Sequence, residues 1–112
     1  TVFLIPKETK IIPTGIKLSF SDDMAMLILP RSGMALKHLE IANSPGLVDS
    51  DYRGEVGIIA TNTGERLITI EAQDRIAQAV FIPIVKPNFL VVESLDDTDR
   101  GAGGFGSTGI NK

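Results

Sequence analysis

The chain has 112 residues, 43% of them hydrophobic, a formal net charge of −3 and no cysteine, a composition that predicts one domain with a small core. The negative charge argues against nucleic-acid binding over the whole surface, since such proteins usually carry a basic face, and the lack of thiols excludes disulfides, zinc-thiolate sites and cysteine nucleophiles. No apolar run approaches a membrane span and no charged-then-apolar leader is present, so we expect a cytoplasmic protein without a membrane partner.

Short apolar runs separated by turn residues make up the first part of the chain. They lie at residues 2–5, 9–12, 16–20 and 24–29. The last of them is almost continuously apolar, which is typical of a strand buried on both faces, and Pro30 ends it. This pattern predicts an all-β fold, a sandwich or a barrel.

The residues after Pro30 are Arg31-Ser32-Gly33, and two interpretations of them stay open. Ser32 could be the N-cap of a single helical turn that runs to Lys37. Alternatively, the amides exposed at the start of this turn, together with the hydroxyl, could hold a phosphate.

The segment at residues 43–57 is the most informative stretch of the chain. Turns are predicted at residues 45–46 and 50–51, because Pro, Gly, Ser and Asp all favour turns, and a two-residue extended piece lies between them. The result would be a β-hairpin whose lip presents Asp49 and Tyr52 side by side. Taken without any resemblance, an Asx turn and a half-buried packing tyrosine are the better explanation of these two residues.

Three more strand-like runs follow, at residues 56–61, 67–70 and 75–84, and a last one lies at residues 88–93. The run at 75–84 is apolar on both faces except for Gln78, so we expect a strand buried on both sides. Gln78 would then need a partner, which could be the protein backbone or a ligand.

The composition changes after residue 94. Residues 96–99 are acidic or polar, and five of the nine residues from 101 to 109 are glycine, so this tail cannot bury enough apolar surface to fold alone. It is either a disordered tail or a lid. In the lid, glycine would give freedom to close, and Phe105 would offer an aromatic face to a base.

Four blocks resemble, in the same order, motifs of the trimeric deoxyuridine triphosphatases (dUTPases). They lie at residues 30–37, 43–57, 74–78 and 100–109. The family opens with an Ala-Gly-x-Asp-Leu block that has no match here, so we interpret the chain as N-terminally incomplete. The resemblance implies a jelly-roll-like β-barrel or sandwich at residues 1–95, a flexible C-terminal lid arm at residues 96–112, and a homotrimer whose sites draw motifs from three subunits.

The resemblance also implies the reaction, which is hydrolysis of dUTP to dUMP and pyrophosphate. Asp49 would be the catalytic residue, orienting a water and accepting its proton as it attacks the α-phosphorus. Mg²⁺ would be held largely by the three phosphates and by water, since this ion takes few protein ligands. No residue of the chain is assigned as a metal ligand.

By the same resemblance, twelve residues bind the substrate: Arg31, Ser32, Gly33, Asn43, Val48, Tyr52, Gln78, Arg100, Phe105, Gly106, Ser107 and Thr108. The first three would hold the phosphate chain. The hairpin backbone and Asn43 would recognise uracil, and Tyr52 would lie against the deoxyribose.

Two alternatives remain. The chain could be a non-catalytic or regulatory trimeric relative that keeps the nucleotide pocket. It could also be similar to the dCTP deaminases, which share the fold, although their catalytic glutamate would fall near Ile59, a side chain that cannot move a proton.

Overall fold

The structure, a computed structural model, describes residues 1–106 and residue 109. Its strands are β1 (Val2–Leu4), β2 (Thr9–Pro13), β3 (Met24–Pro30), β4 (Leu39–Ile41), β5 (Gly46–Val48), β6 (Gly57–Asn62), β7 (Ile68–Ile70) and β8 (Ala77–Pro83), with one short helix, α1 (Ser32–Leu36), between β3 and β4. The all-β prediction is confirmed. No helix within the described residues has the length and apolar character needed to cross a membrane.

The strands form three antiparallel sheets in the orders β1-β7, β2-β6-β4 and β5-β3-β8. Alternating side chains of β6 are buried, because successive residues of a strand point to opposite faces. The inward residues of the sheets meet in one apolar core formed by Leu4, Ile12, Met26, Ile28, Leu39, Ile41, Val56, Ile58, Ala60, Ile70 and Ile76.

The predicted hairpin at residues 43–57 is wrong in its pairing. β5 pairs with β3, whereas β6 pairs with β2 and β4, so the two arms lie in different sheets. The connection between them, residues 49–56, is long enough to carry the chain from one sheet to the other. The strand predicted at residues 16–20 is also absent, although Ile16 accepts a backbone hydrogen bond from Val56 N at 2.8 Å.

The predicted burial of β8 on both faces is wrong for the single chain. β8 is an edge strand of its sheet, and Val80 and Phe81 keep 39% and 45% of their surface exposed. Gln78 is exposed as well. The apolar side chains of β8 therefore form a surface that the single chain leaves uncovered.

The strand predicted at residues 88–93 does not form. Phe89 and Val91 in this segment are 93% and 96% exposed. An apolar run with high strand propensity still needs a neighbouring strand to satisfy its backbone groups, and the described part of this chain provides none at that point.

One buried polar side chain fixes the end of β6, and we predict that it is important for stability. Asn62 is fully buried, and its Nδ2 donates to Leu4 O at 2.9 Å and to Arg66 O at 2.8 Å, while its Oδ1 accepts from Gly64 N at 2.9 Å. Asn62→Ala is expected to lower the free energy of unfolding by about 2–4 kcal/mol, because it leaves buried backbone groups unpaired.

Urea unfolding at one fixed protein concentration measures this loss. The exposed Asn88 gives the matched control, since Asn88→Ala removes the same side chain from a solvated position. Equal stabilities of the two variants would show that the Asn62 hydrogen bonds contribute nothing.

Candidate functional site

A cavity of about 230 Å³ lies beside β5, where the chain crosses between sheets. It is lined by Ile28, Asn43, Gly46, Leu47, Val48, Asp49, Tyr52, Val56, Gly57 and Ile59. The structure thus brings together four residues that the sequence assigns to a substrate site, Asn43, Val48, Asp49 and Tyr52.

Hydrogen bonds hold the rim of this cavity in shape. β5 is fixed against β3, with Val48 opposite Met26. Asp49 O then accepts from Tyr52 N at 3.2 Å, which closes a turn, and Tyr52 Oη donates to Glu55 O at 2.8 Å. The buried Val56 leads the chain back into the core. These constraints place Asp49 and Tyr52 on the same rim.

The floor of the cavity is apolar or glycine, and sequence reasoning did not assign it. Ile28, Val56 and Ile59 contribute to it, but alternating apolar residues in strands indicate a core rather than a ligand site. Gly46 is a residue from which the sequence could have indicated a cavity. A Cβ at this position would lie 3.3 Å from Asn43 Nδ2, so glycine keeps room beside the amide.

The polar groups at the rim suit a small heterocyclic ligand. Asn43 and Asp49 are both exposed there. An asparagine amide supplies donors and an acceptor, whereas an ionised carboxylate only accepts. The cavity therefore combines an apolar floor with one amide and one potential general base.

The helix start at Arg31 differs in detail from the prediction. Arg31, not Ser32, is the N-cap of α1, and no side-chain cap hydrogen bond forms. Ser32 is the first residue of the helix, so its predicted capping role is wrong. Ser32 and Gly33 are both exposed, which leaves this turn accessible to a ligand.

The turn at Arg31 is attached to the beginning of β8. Arg31 Nη1 donates to Arg75 O at 3.0 Å, and Gln78 Nε2 donates to Pro30 O at 2.8 Å. Gln78 therefore has a backbone partner, one of the two alternatives left open by the sequence. The structure brings Arg31, Ser32, Gly33 and Gln78 together, and we call these four residues the arginine cluster.

The arginine cluster and Asp49 lie towards opposite ends of β3 within one chain. Val48 pairs with Met26, and Asp49 follows near the beginning of β3, whereas Arg31 comes directly after its end. The five residue steps from Met26 to Arg31 correspond to roughly 17 Å at about 3.3 Å per residue. One chain alone therefore does not bring these groups to a common point.

None of the described tail residues lines the cavity. Arg100 Nε bonds Gly103 O within the tail, Phe105 is exposed, and Gly106 belongs to the same turn. The lining residues of the cavity all come from residues 28–59. Ser107 and Thr108 lie outside the described residues, and the lid role of the whole arm stays a prediction.

Among the described residues, no three His, Asp or Glu side chains converge in a way that could hold a metal ion.

Comparison with known proteins gives a consistent result. The family model for dUTPase matches residues 1–109. The deoxyuridine 5'-triphosphate nucleotidohydrolase of Serratia proteamaculans is 47% identical over 110 residues, which are 96% of this chain and 72% of that protein.

Solved structures agree with the sequence comparison. The dUTPase of Staphylococcus bacteriophage 80alpha with dUPNHPP superimposes with a TM-score of 0.85 at 30% identity, covering 97% of this chain and 80% of that one. A mutant dUTPase from phage phi11 of S. aureus, described with a coordinated structural Mg(II) ion, has a TM-score of 0.78 at 27% identity, covering 86% of this chain and 79% of that one.

Proposed function

The chain belongs to the dUTPase family, and we infer that it hydrolyses dUTP to dUMP and pyrophosphate at the cavity beside β5. The observation that carries this proposal is the convergence of Asn43, Asp49 and Tyr52 on one rim above an apolar floor. A base, a sugar and a reacting phosphate could each meet a suitable group there.

The uracil ring is proposed to bind along the free edge of β5. β5 has only β3 as a neighbour in its sheet, and all three of its residues, Gly46, Leu47 and Val48, line the cavity. An unpaired strand edge presents alternating N–H and C=O groups. The edge of uracil also alternates acceptor and donor, so β5 can bind it as it would another strand, with the Asn43 amide alongside.

Tyr52 is proposed to select the sugar. Its ring lines the cavity and is 46% exposed, so it can lie flat against a deoxyribose. A ribose would bring its 2′-hydroxyl against this ring, where the hydroxyl loses water without gaining a partner, at a cost of about 1–3 kcal/mol. UTP would therefore bind and react less well than dUTP.

Asp49 is proposed to act as the general base. Its carboxylate orients a water molecule, whose oxygen forms a bond to the α-phosphorus while the proton passes to Asp49. The bond from this phosphorus to the bridging oxygen breaks, and pyrophosphate leaves with the electron pair. A carboxylate is a weak base, so positioning and charge neutralisation provide much of the acceleration.

Mg²⁺ is proposed to enter as part of the substrate, bound to the triphosphate of dUTP. Phosphate oxygens and water suit this ion without a dedicated protein cage. The arginine cluster would then neutralise the remaining charge on the phosphates through Arg31.

A homotrimer is proposed to complete the site. The roughly 17 Å along β3 between Arg31 and Met26, beside which Val48 and then Asp49 lie, favours a site in which the phosphates reach an arginine cluster from another copy. Uncovered apolar side chains support association, since Val80 and Phe81 of β8 and the apolar segment at residues 88–93 are exposed in the single chain. The Gly-rich arm would close over the nucleotide with Arg100 and Phe105.

Pyrophosphate release from dUTP, UTP and dCTP tests the proposal. We expect turnover of dUTP, with kcat/KM for UTP about 5- to 150-fold lower because of the unpaired 2′-hydroxyl. Release of ammonia from dCTP would instead indicate a deaminase. Binding of a non-hydrolysable dUTP analogue without turnover of dUTP would indicate a non-catalytic relative, and either result would contradict the proposed function.

A further inference from the structure

We propose that Gly54 is a positioning residue that determines sugar selectivity by allowing Tyr52 to take its place on the cavity rim. The inference rests on the proposed function and adds a residue to it. Gly54 does not line the cavity itself, so its effect would pass entirely through the tyrosine ring.

The contact between Gly54 and Tyr52 leaves no space for a side chain. A Cβ built on Gly54 would lie 2.6 Å from Tyr52 Cζ and 3.0 Å from Cε1, and closer still to Oη. The tyrosine ring thus lies directly across the Gly54 backbone. Any larger residue at this position would force the ring to move.

The tyrosine is also held from its far end. Tyr52 Oη donates to Glu55 O at 2.8 Å, the carbonyl of the residue that follows Gly54. The ring is therefore fixed at two points, by packing on Gly54 and by the hydrogen bond next to it. This arrangement leaves the opposite face of the ring for the cavity, which Tyr52 lines.

The lack of space for a side chain, rather than the backbone conformation, explains why residue 54 is glycine. The φ of Gly54 lies outside the left-handed region, unlike that of Gly15 at +74°. An alanine can adopt such a φ without the strain that a positive value would cause. Gly54→Ala therefore changes the position of Tyr52 with little direct effect on the backbone.

Displacement of the ring should reduce discrimination between the two sugars. In Gly54→Ala, we expect the ratio of kcat/KM for dUTP to that for UTP to fall about tenfold, mainly through a higher kcat/KM for UTP, since the wall that opposes a 2′-hydroxyl is no longer in place. A general loss of folding would lower both activities together and leave the ratio unchanged.

A double-mutant cycle isolates the proposed route. With Tyr52→Ala as the background, Gly54→Ala has no ring to displace, so it should change the dUTP/UTP ratio no further. Gly64→Ala is the matched control. Its Cβ would also press on a ring, lying 3.1 Å from Cγ of His38, but this contact is away from the cavity, so the ratio should stay at the wild-type value.

Fluorescence gives a second readout that does not depend on turnover. Tyr52 is the only tyrosine and the chain has no tryptophan, so its emission reports on this site alone. Acrylamide should quench Tyr52 more strongly in Gly54→Ala than in the wild type, and equally in Gly64→Ala and the wild type.

The outcomes separate the inference from the function on which it depends. If the wild type prefers dUTP but Gly54→Ala keeps the same ratio, the inference is overturned and the proposed function stands. An additional loss of ratio from Gly54→Ala in the Tyr52→Ala background also overturns the inference. If the wild type shows no preference for dUTP, the proposed function fails, and the inference fails with it.

Discussion

Asp49→Asn is expected to lower kcat for dUTP by about 10³-fold or more while leaving nucleotide affinity within a few-fold of the wild type. Asparagine keeps the size of the side chain and can still hold a water at the rim of the cavity. It cannot take the proton of that water as the new bond to phosphorus forms, and loss of a general base typically costs about 10²–10⁴-fold in rate.

The measurement should separate binding from chemistry. Affinity for a non-hydrolysable dUTP analogue reports on the cavity, and single-turnover release of pyrophosphate reports on the chemical step. Asp51→Asn is the matched control, because Asp51 is an exposed carboxylate two residues away that does not line the cavity. Normal turnover by Asp49→Asn would disprove the proposed role of this residue.

The local shape of the site could be predicted from the sequence because it depends on short-range chemistry. Turn-forming residues around Asp49 indicate where the chain reverses, and the structure closes that turn with the hydrogen bond from Tyr52 N to Asp49 O. The strand at residues 24–29 was equally clear, because a continuous apolar run between turn residues has few other structures available.

The pairing of β5 could not be predicted, because it depends on contacts far apart in the sequence. An alternating pattern indicates which face of a strand is buried but not which strand lies beside it. The sequence therefore predicts a hairpin at residues 43–57 with a two-residue extended piece, whereas Gly46–Val48 pairs with β3, an earlier strand in the chain.

The burial of β8 was mispredicted for a related reason. Hydrophobic residues indicate that a surface becomes covered, but they do not indicate whether the same chain covers it. Val80 and Phe81 stay partly exposed in the single chain, as would be expected of residues that contact a second copy. The floor of the cavity was missed because Ile28 and Ile59 have the same pattern as core residues.

Mixed oligomers provide the most direct test of a site shared between copies. Arg31→Ala and Asp49→Asn are each expected to be almost inactive, with the loss for Arg31→Ala about 10²-fold or more because a cation on the phosphates is removed. When the two variants are unfolded together in urea and refolded at a 1:1 ratio, activity should return.

The amount of recovery can be calculated for a site that takes Asp49 from one copy and Arg31 from another. The first copy must then be an Arg31→Ala chain and the second an Asp49→Asn chain. Random assembly satisfies both conditions in about a quarter of the sites of a cyclic oligomer. The mixture should therefore reach about a quarter of wild-type activity, whereas no recovery is possible if both residues serve the same site from one chain.

A mixture of Asp49→Asn with Tyr52→Ala is the control for this experiment. Both residues line the same cavity of one chain, so every cavity in any mixed oligomer lacks one of them, and the activity should not rise above the average of the two variants refolded alone. Recovery in the first mixture together with none in the second would show that Asp49 of one copy acts with Arg31 of another. Association of the copies would then overcome the separation of roughly 17 Å along β3. Equal behaviour of the two mixtures would mean that the arginine cluster of another copy does not serve this cavity.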